Sequence, residues 1–236
     1  LKQIAEKGVG IVFVSHAFHF AQNDFVVPEA IRRTVRQARE SGFSAGAADI
    51  IAHSMGGVLT RFYLQSTEYS NNIHKLITVN SPHSGAQSCN LLSNPVFGPI
   101  LSGAFHYAGM NCFQGAVEDF KVDGTPITSS LNGVFLNHKV VPSHTVTTHT
   151  TITQSITGVS DWTMMFFNMA AIVTGNPFSN FQDILFLNQP NDLVVTEPSQ
   201  EAGCSKTTSF SPYWHNAWKE NTPALFAPLI ALQKQA

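Results

Sequence analysis

Ser54 lies in the run Asp49 to Gly57, DIIAHSMGG, and its surroundings suit a reactive hydroxyl. A short apolar run precedes it and a helical pattern follows it. Small residues, Ala52 and Gly56, stand two positions away on either side. That spacing predicts a sharp strand-to-helix turn that holds a nucleophile clear of the chain. The usual pattern is Gly-x-Ser-x-Gly, and here alanine, the next smallest residue, takes the first place. A larger side chain at either flanking position is expected to clash with the tight turn.

A serine hydroxyl is a poor nucleophile at neutral pH. It needs a histidine to take its proton and a carboxylate to hold that histidine's tautomer. Two downstream segments supply them. Asp192 follows Asn188-Gln189-Pro190-Asn191, a turn-rich loop after an apolar run. His215 lies in Tyr213-Trp214-His215-Asn216, just before the last helical pattern. Asp161 and Asp183 are the competing carboxylates. Asp161 has the position of a helix N-cap. Asp183 starts the apolar run and falls at the wrong end of the strand expected there. His138, His144 and His149 have no metal-ligand spacing and are expected at the surface or a sheet edge, so no metal site is expected. His53 adjoins the nucleophile, but consecutive residues point to opposite sides, so it is not expected to reach the Ser54 hydroxyl.

These groups need a scaffold. Leu1 to Lys7 is the end of a helix, and Gly10 to Ser15 (GIVFVS) is a buried strand. Pro28 to Ser41 is helical, with Ile31, Val35 and Ala38 at helical spacing and Gly42 as a stop. Asp49 to Ala52 and Lys75 to Asn80 are strands, with a helix from Gly57 to Gln65 between them. The rhythm predicts an α/β fold with a doubly wound, mostly parallel sheet. Val140 to Ile152 reads as a frayed strand, Trp162 to Thr174 as a covered helix, Asp183 to Leu187 as a strand and Pro223 to Gln233 as a closing helix. The whole chain reads as one domain, with an insertion or cap from about 87 to 180 over the carboxyl edge of the sheet.

Composition agrees. The 236 residues are enough for one domain with a full core, at 43% hydrophobic and 12% charged. The formal net charge is −2, with no basic stripe, so nucleic acid is not an expected partner. The longest apolar stretch, Trp162 to Val173, is too short for an integral membrane segment. Cys89, Cys112 and Cys204 do not make a disulfide framework. Small buried thiols are expected, with a Cys89–Cys112 bridge as the alternative.

The segments DIIAHSMGGVLTRFY, ITVNSPHSGA, QPNDLVVTEPSQ and WHNAW together resemble the bacterial lipase/esterase group of the α/β-hydrolases. That group pairs an HSMGG elbow with a TPH-x-G-type turn, an S-x-ND-x-V-type acid loop and a late histidine. The resemblance covers the sheet-forming parts of residues 1–90 and 180–236. It implies Ser54 as nucleophile, Asp192 as acid and His215 as base, acting on a small-molecule ester or lipid with no cofactor.

The oxyanion hole departs from the pattern. One donor is the N–H of Met55, directly after the nucleophile. His16-Ala17-Phe18 only superficially matches the loop that supplies the second. A single helix separates Gly10–Ser15 from the nucleophile strand, where the family usually has two strands and two helices. The expectation is a chain without the N-terminal strands and their oxyanion loop, with Ala17 or Phe18 as the nearest substitute donor. Ala17, His53 and His83 are the candidates for substrate contact, with a structural role favoured for His83. Trp162 to Val173 reads as a lid, an acyl-binding wall or a plain packed helix. A serine esterase or lipase-like hydrolase is the leading functional expectation. A non-catalytic binding domain is the alternative, as is an acyltransferase or phospholipase using the same three residues.

Overall fold

The computed structural model describes residues 23–95, 98–99, 102–103, 114–122, 131, 141–150, 183, 186–201, 204, 206–215 and 231. Within them the chain runs α1 (Val26–Glu40), β1 (Ala48–His53), α2 (Met55–Gln65), β2 (Ile73–Val79), α3 (Gln87–Leu92), α4 (Gln114–Asp119), β3 (Ser143–Thr148), α5 (Glu197–Glu201) and β4 (Thr207–Phe210). The four strands form one parallel sheet in the order β1-β2-β3-β4.

The register positions the chemistry. His53 pairs with Val79, so Ser54 and Asn80 leave the sheet side by side. Val79 pairs with Val146, and Thr148 with Phe210. Because all four strands are parallel, the segments that follow them emerge at one edge.

The helices form where the apolar spacing expects them. α1 turns Val27 and Ile31 into the core and exposes its arginines. α2 follows Ser54 and buries Met55, Val58, Leu59 and Tyr63 against the sheet. Full burial of an aliphatic side chain such as Leu59 contributes about 1.5–3 kcal/mol. Gly57 allows the closest approach. A Cβ there would lie 2.0 Å from Ser81 Oγ, 2.7 Å from Ser81 Cβ and 3.3 Å from Thr78 Cβ. At Gly56, outside its chain neighbours and the helix's own backbone, a Cβ meets nothing within 4 Å, so the close helix-to-sheet contact is at Gly57.

Three sequence expectations change. First, Asp183 to Leu187 was expected to be a strand. Asp183 is helical, and the Asn188 N–H donates to the Asp183 carbonyl at 2.8 Å, while Leu187 and Asn188 have φ of 55° and 57°. That is how a helical turn terminates, and a short apolar run does not by itself distinguish it from a strand. Second, the strand expected from Val140 to Ile152 is present but narrower: residues 143–148 form β3, between β2 and β4. Third, β4 was missed. Thr207–Phe210 is short, polar and half exposed, as an edge strand is, and carries no apolar signal.

The elements expected at 1–7, 10–15 and 162–174 lie outside the described residues, as do Ala17, Phe18, Cys112, His138 and Asp161. The expected closing helix at 223–233 does too, apart from residue 231. No helix among the described residues is long and apolar enough to cross a membrane.

Gly57→Ala should cost about 1–3 kcal/mol, because Ser81 must move. Gly56→Ala should cost less. Urea denaturation of the two variants checks the ranking.

Candidate active site

Ser54 caps α2 with φ 53° and ψ −129°, backbone angles that a non-glycine residue rarely adopts. Hydrogen bonds on both sides hold it there. Its N–H donates to the Val79 carbonyl at 2.9 Å, and its carbonyl accepts from Gly57 N–H at 3.1 Å. The sheet and the helix thus impose the turn, whose strain is about 1–3 kcal/mol. Met55 is the first residue of α2, so its N–H has no acceptor within the helix and stays available beside the serine.

The His215 imidazole stands beside the hydroxyl. Its Nε2 is 2.8 Å from Ser54 Oγ, and its Nδ1 is 2.7 Å from Asp192 Oδ2. With Nδ1–H donating to the carboxyl, Nε2 is the nitrogen left to accept the serine proton. His215 is 3% exposed and Asp192 0%. The described structure therefore brings Ser54, Asp192 and His215 into one line.

The other carboxyl oxygen, Asp192 Oδ1, accepts from Val194 N–H at 3.0 Å and Val195 N–H at 2.7 Å. Two backbone donors on one oxygen leave the second oxygen aimed at the imidazole. Asn191 Oδ1 accepts from Leu193 N–H at 3.1 Å and stabilises the same tight turn, in which Leu193 has φ 72°.

The acid loop does not grow out of a strand, as the sequence suggested, but docks onto one. Thr150 N–H donates to the Asn191 carbonyl at 2.7 Å. The Gln200 side chain continues the ladder of β3. Its Oε1 accepts from Thr148 N–H at 2.9 Å, and its Nε2 donates to the Thr148 carbonyl at 3.1 Å and the Val195 carbonyl at 3.0 Å. Ser88 Oγ donates to the Val194 carbonyl at 2.9 Å. The acid loop thus reaches the carboxyl edge of the sheet through one backbone bond and several side-chain bonds.

The remaining candidates take different places. His53 Nε2 donates to the main-chain carbonyl of His215 at 2.9 Å, and the two rings lie 4.9 Å apart. His83, a candidate for substrate contact, is 1% exposed instead, and Arg61 donates to its carbonyl at 3.1 Å. A sealed ring has no surface to offer a substrate. Neither ring nitrogen of His83 has a protein hydrogen-bond partner. Burial, and then the Arg61 charge, push its pKa down to about 3. His144 lies 2.8 Å from Thr208 Oγ1 and His149 3.1 Å from Ser209 Oγ, both toward the edge strand. Among the described residues no group of three or more His, Cys, Asp or Glu side chains is arranged to hold a metal ion. Cys204 is a buried thiol.

Sequence reasoning missed Asn80 and Gln200. Asn80 was visible as a polar residue at the end of an apolar strand, and the register places it opposite Ser54. Gln200 gives no local signal, because its partners are distant in sequence.

Comparison with known proteins bears on the fold. A crystal structure of Bacillus licheniformis lipase BlEst2 in its mature form superposes with a TM-score of 0.57 at 15% identity, covering 93% of this chain and 77% of that one. The chain has the α/β-hydrolase fold. The propeptide form of the same lipase gives a TM-score of 0.51 at 14% identity, and there the chain spans 42% of the other protein's length. Phospholipase PlaB from Legionella pneumophila gives 0.49 at 14% identity, over 85% of this chain and 40% of that one. The PGAP1-like alpha/beta domain family matches residues 16–91, which include the elbow and β2. No curated protein sequence matches the chain.

The buried His83 also makes a pH prediction. Its folded pKa lies below its unfolded value, so between about pH 6.5 and 3 the unfolded state takes up a proton that the folded state does not. Stability is therefore lost as pH falls through that window, by up to about 2 kcal/mol at pH 5. His83→Leu should lose less stability than wild type between pH 7.5 and 5 in urea denaturation. Parallel losses in the two proteins would assign the acid sensitivity elsewhere.

Proposed function

We propose that this α/β-hydrolase chain is a serine hydrolase that cleaves carboxylic esters. The observation that carries the reading is the unbroken line from Asp192 Oδ2 to His215 Nδ1 (2.7 Å) and from His215 Nε2 to Ser54 Oγ (2.8 Å). This line suits acyl transfer, because one imidazole can take the serine proton at Nε2 and return it to the leaving group while its Nδ1–H stays bonded to the carboxylate.

The reaction follows from the proton positions. Ser54 Oγ attacks the ester carbonyl while its proton passes to His215 Nε2. The imidazolium that forms is stabilised by the Asp192 carboxylate, which already accepts Nδ1–H. Charge develops on the former carbonyl oxygen, and the Met55 N–H is the nearby backbone donor for it. The tetrahedral adduct collapses as His215 protonates the departing alcohol. Water, deprotonated by the same imidazole, then releases the acid and regenerates Ser54. The scheme uses no metal or organic cofactor.

The choice of esters rests on the similarity in fold to a lipase. A small-molecule ester or a lipid is the substrate class we infer. The bacterial lipase/esterase resemblance of the acid loop and the late histidine supports the same roles for Asp192 and His215.

Hydrolysis of a short-chain nitrophenyl ester should fall to background in Ser54→Ala, and a fluorophosphonate should label Ser54 in the wild type. Equal rates for wild type and Ser54→Ala would end the esterase reading. Asp192→Asn should keep the shape of the site but turn the imidazole to the wrong tautomer. Its kcat should drop by about 10⁴, measured with the same ester.

A further inference from the structure

His215 sits in a loop five residues past the end of β4 at Phe210. A base on a loop stays in line with its nucleophile only if its main chain is held. Both main-chain polar groups of His215 are held. Its N–H donates to the Asp192 carbonyl at 3.0 Å. Its carbonyl accepts two side-chain donors, His53 Nε2–H at 2.9 Å and Asn80 Nδ2–H at 3.1 Å. A carbonyl oxygen has two lone pairs, and both are used.

The two donors stand at equivalent places. His53 is the last residue of β1, and Asn80 directly follows β2. These neighbouring parallel strands are in register at His53 and Val79. The carbonyl of the base is therefore referenced to the rigid sheet rather than to its own loop. His53 is also the residue next to Ser54, so nucleophile and base share one anchor. Any shift of the end of β1 carries both partners together.

We propose that His53 is a positioning residue for the base, acting with Asn80 through the His215 carbonyl rather than through the substrate. The proposal rests on the hydrolase reading above and names a further part of that site. It assigns His53 the tautomer with hydrogen on Nε2, since a carbonyl can only accept. Displacing a reacting group by about 1 Å can cost about 10² in rate, so a hydrogen bond to the backbone of the base affects turnover without touching the substrate.

The test compares His53→Leu, which has no donor, with His53→Gln, whose amide N–H has a similar reach. Steady-state hydrolysis of a short-chain nitrophenyl ester and the rate of fluorophosphonate labelling are measured on each. His53→Leu should lower kcat by about 10- to 100-fold with KM nearly unchanged, and labelling should slow in proportion. His53→Gln should recover most of the loss. His53→Met serves as a second donorless variant if His53→Leu does not fold, as judged by circular dichroism.

Equal activity in the donorless and Gln variants would overturn the proposal. So would a loss confined to KM, which marks a pocket wall instead. In either case Ser54→Ala remains inactive, and the hydrolase reading stands. If Ser54→Ala is as active as wild type, the hydrolase reading itself fails, and the positioning role fails with it.

Discussion

The two hydrogen bonds through the His215 imidazole are the interaction that the described structure is arranged to hold. Each has a narrow distance range, and each joins segments far apart in sequence. A parallel sheet solves the problem because all its carboxyl ends face one edge. β1 delivers Ser54, β2 delivers Asn80, β3 receives the acid loop and β4 leads to His215. The serine is held in a strained turn, and the strain is sustained by a ladder bond to β2 on one side and a helix on the other.

The acid loop shows how polar burial is made tolerable. Asp192 has no exposure, so an unpaired carboxyl there would be expensive. Its oxygens are shared between two backbone N–H groups and the imidazole. Gln200, equally buried, spends its amide on the last rung of β3 and on the loop that carries Val195. His83 is one exception among the described residues. It is buried without protein partners for its ring, which leaves it neutral far below the ordinary range for histidine.

Much of this was legible in particular residues. The small residues around Ser54 and the apolar runs on either side predicted an elbow, and α1, β1, α2 and β2 lie where their periodicity placed them. The Asn-Asp turn and the late His215 were recognisable as types needed to complete a proton relay. The apolar run from Ile184 to Leu187 misled, because four apolar residues in a row suit a buried strand and a half-buried helical turn equally well. The polar edge strand Thr207–Phe210 was invisible for the opposite reason. Its stability comes from pairing with β3, and no hydrophobic alternation announces it.

What the amino-acid order determined by itself is local: where helices and strands begin, which serine occupies a tight turn, and which side chains have the right chemistry. Those properties depend on a few neighbouring residues, so they survive without any knowledge of the whole. Tertiary structure alone decided which partners meet. It buried the His83 ring, set the His53 ring on the carbonyl of His215, and let Gln200 stand in for a strand. Such contacts join residues separated by tens to hundreds of positions, and hydrogen-bond geometry is satisfied only once the sheet fixes their relative positions.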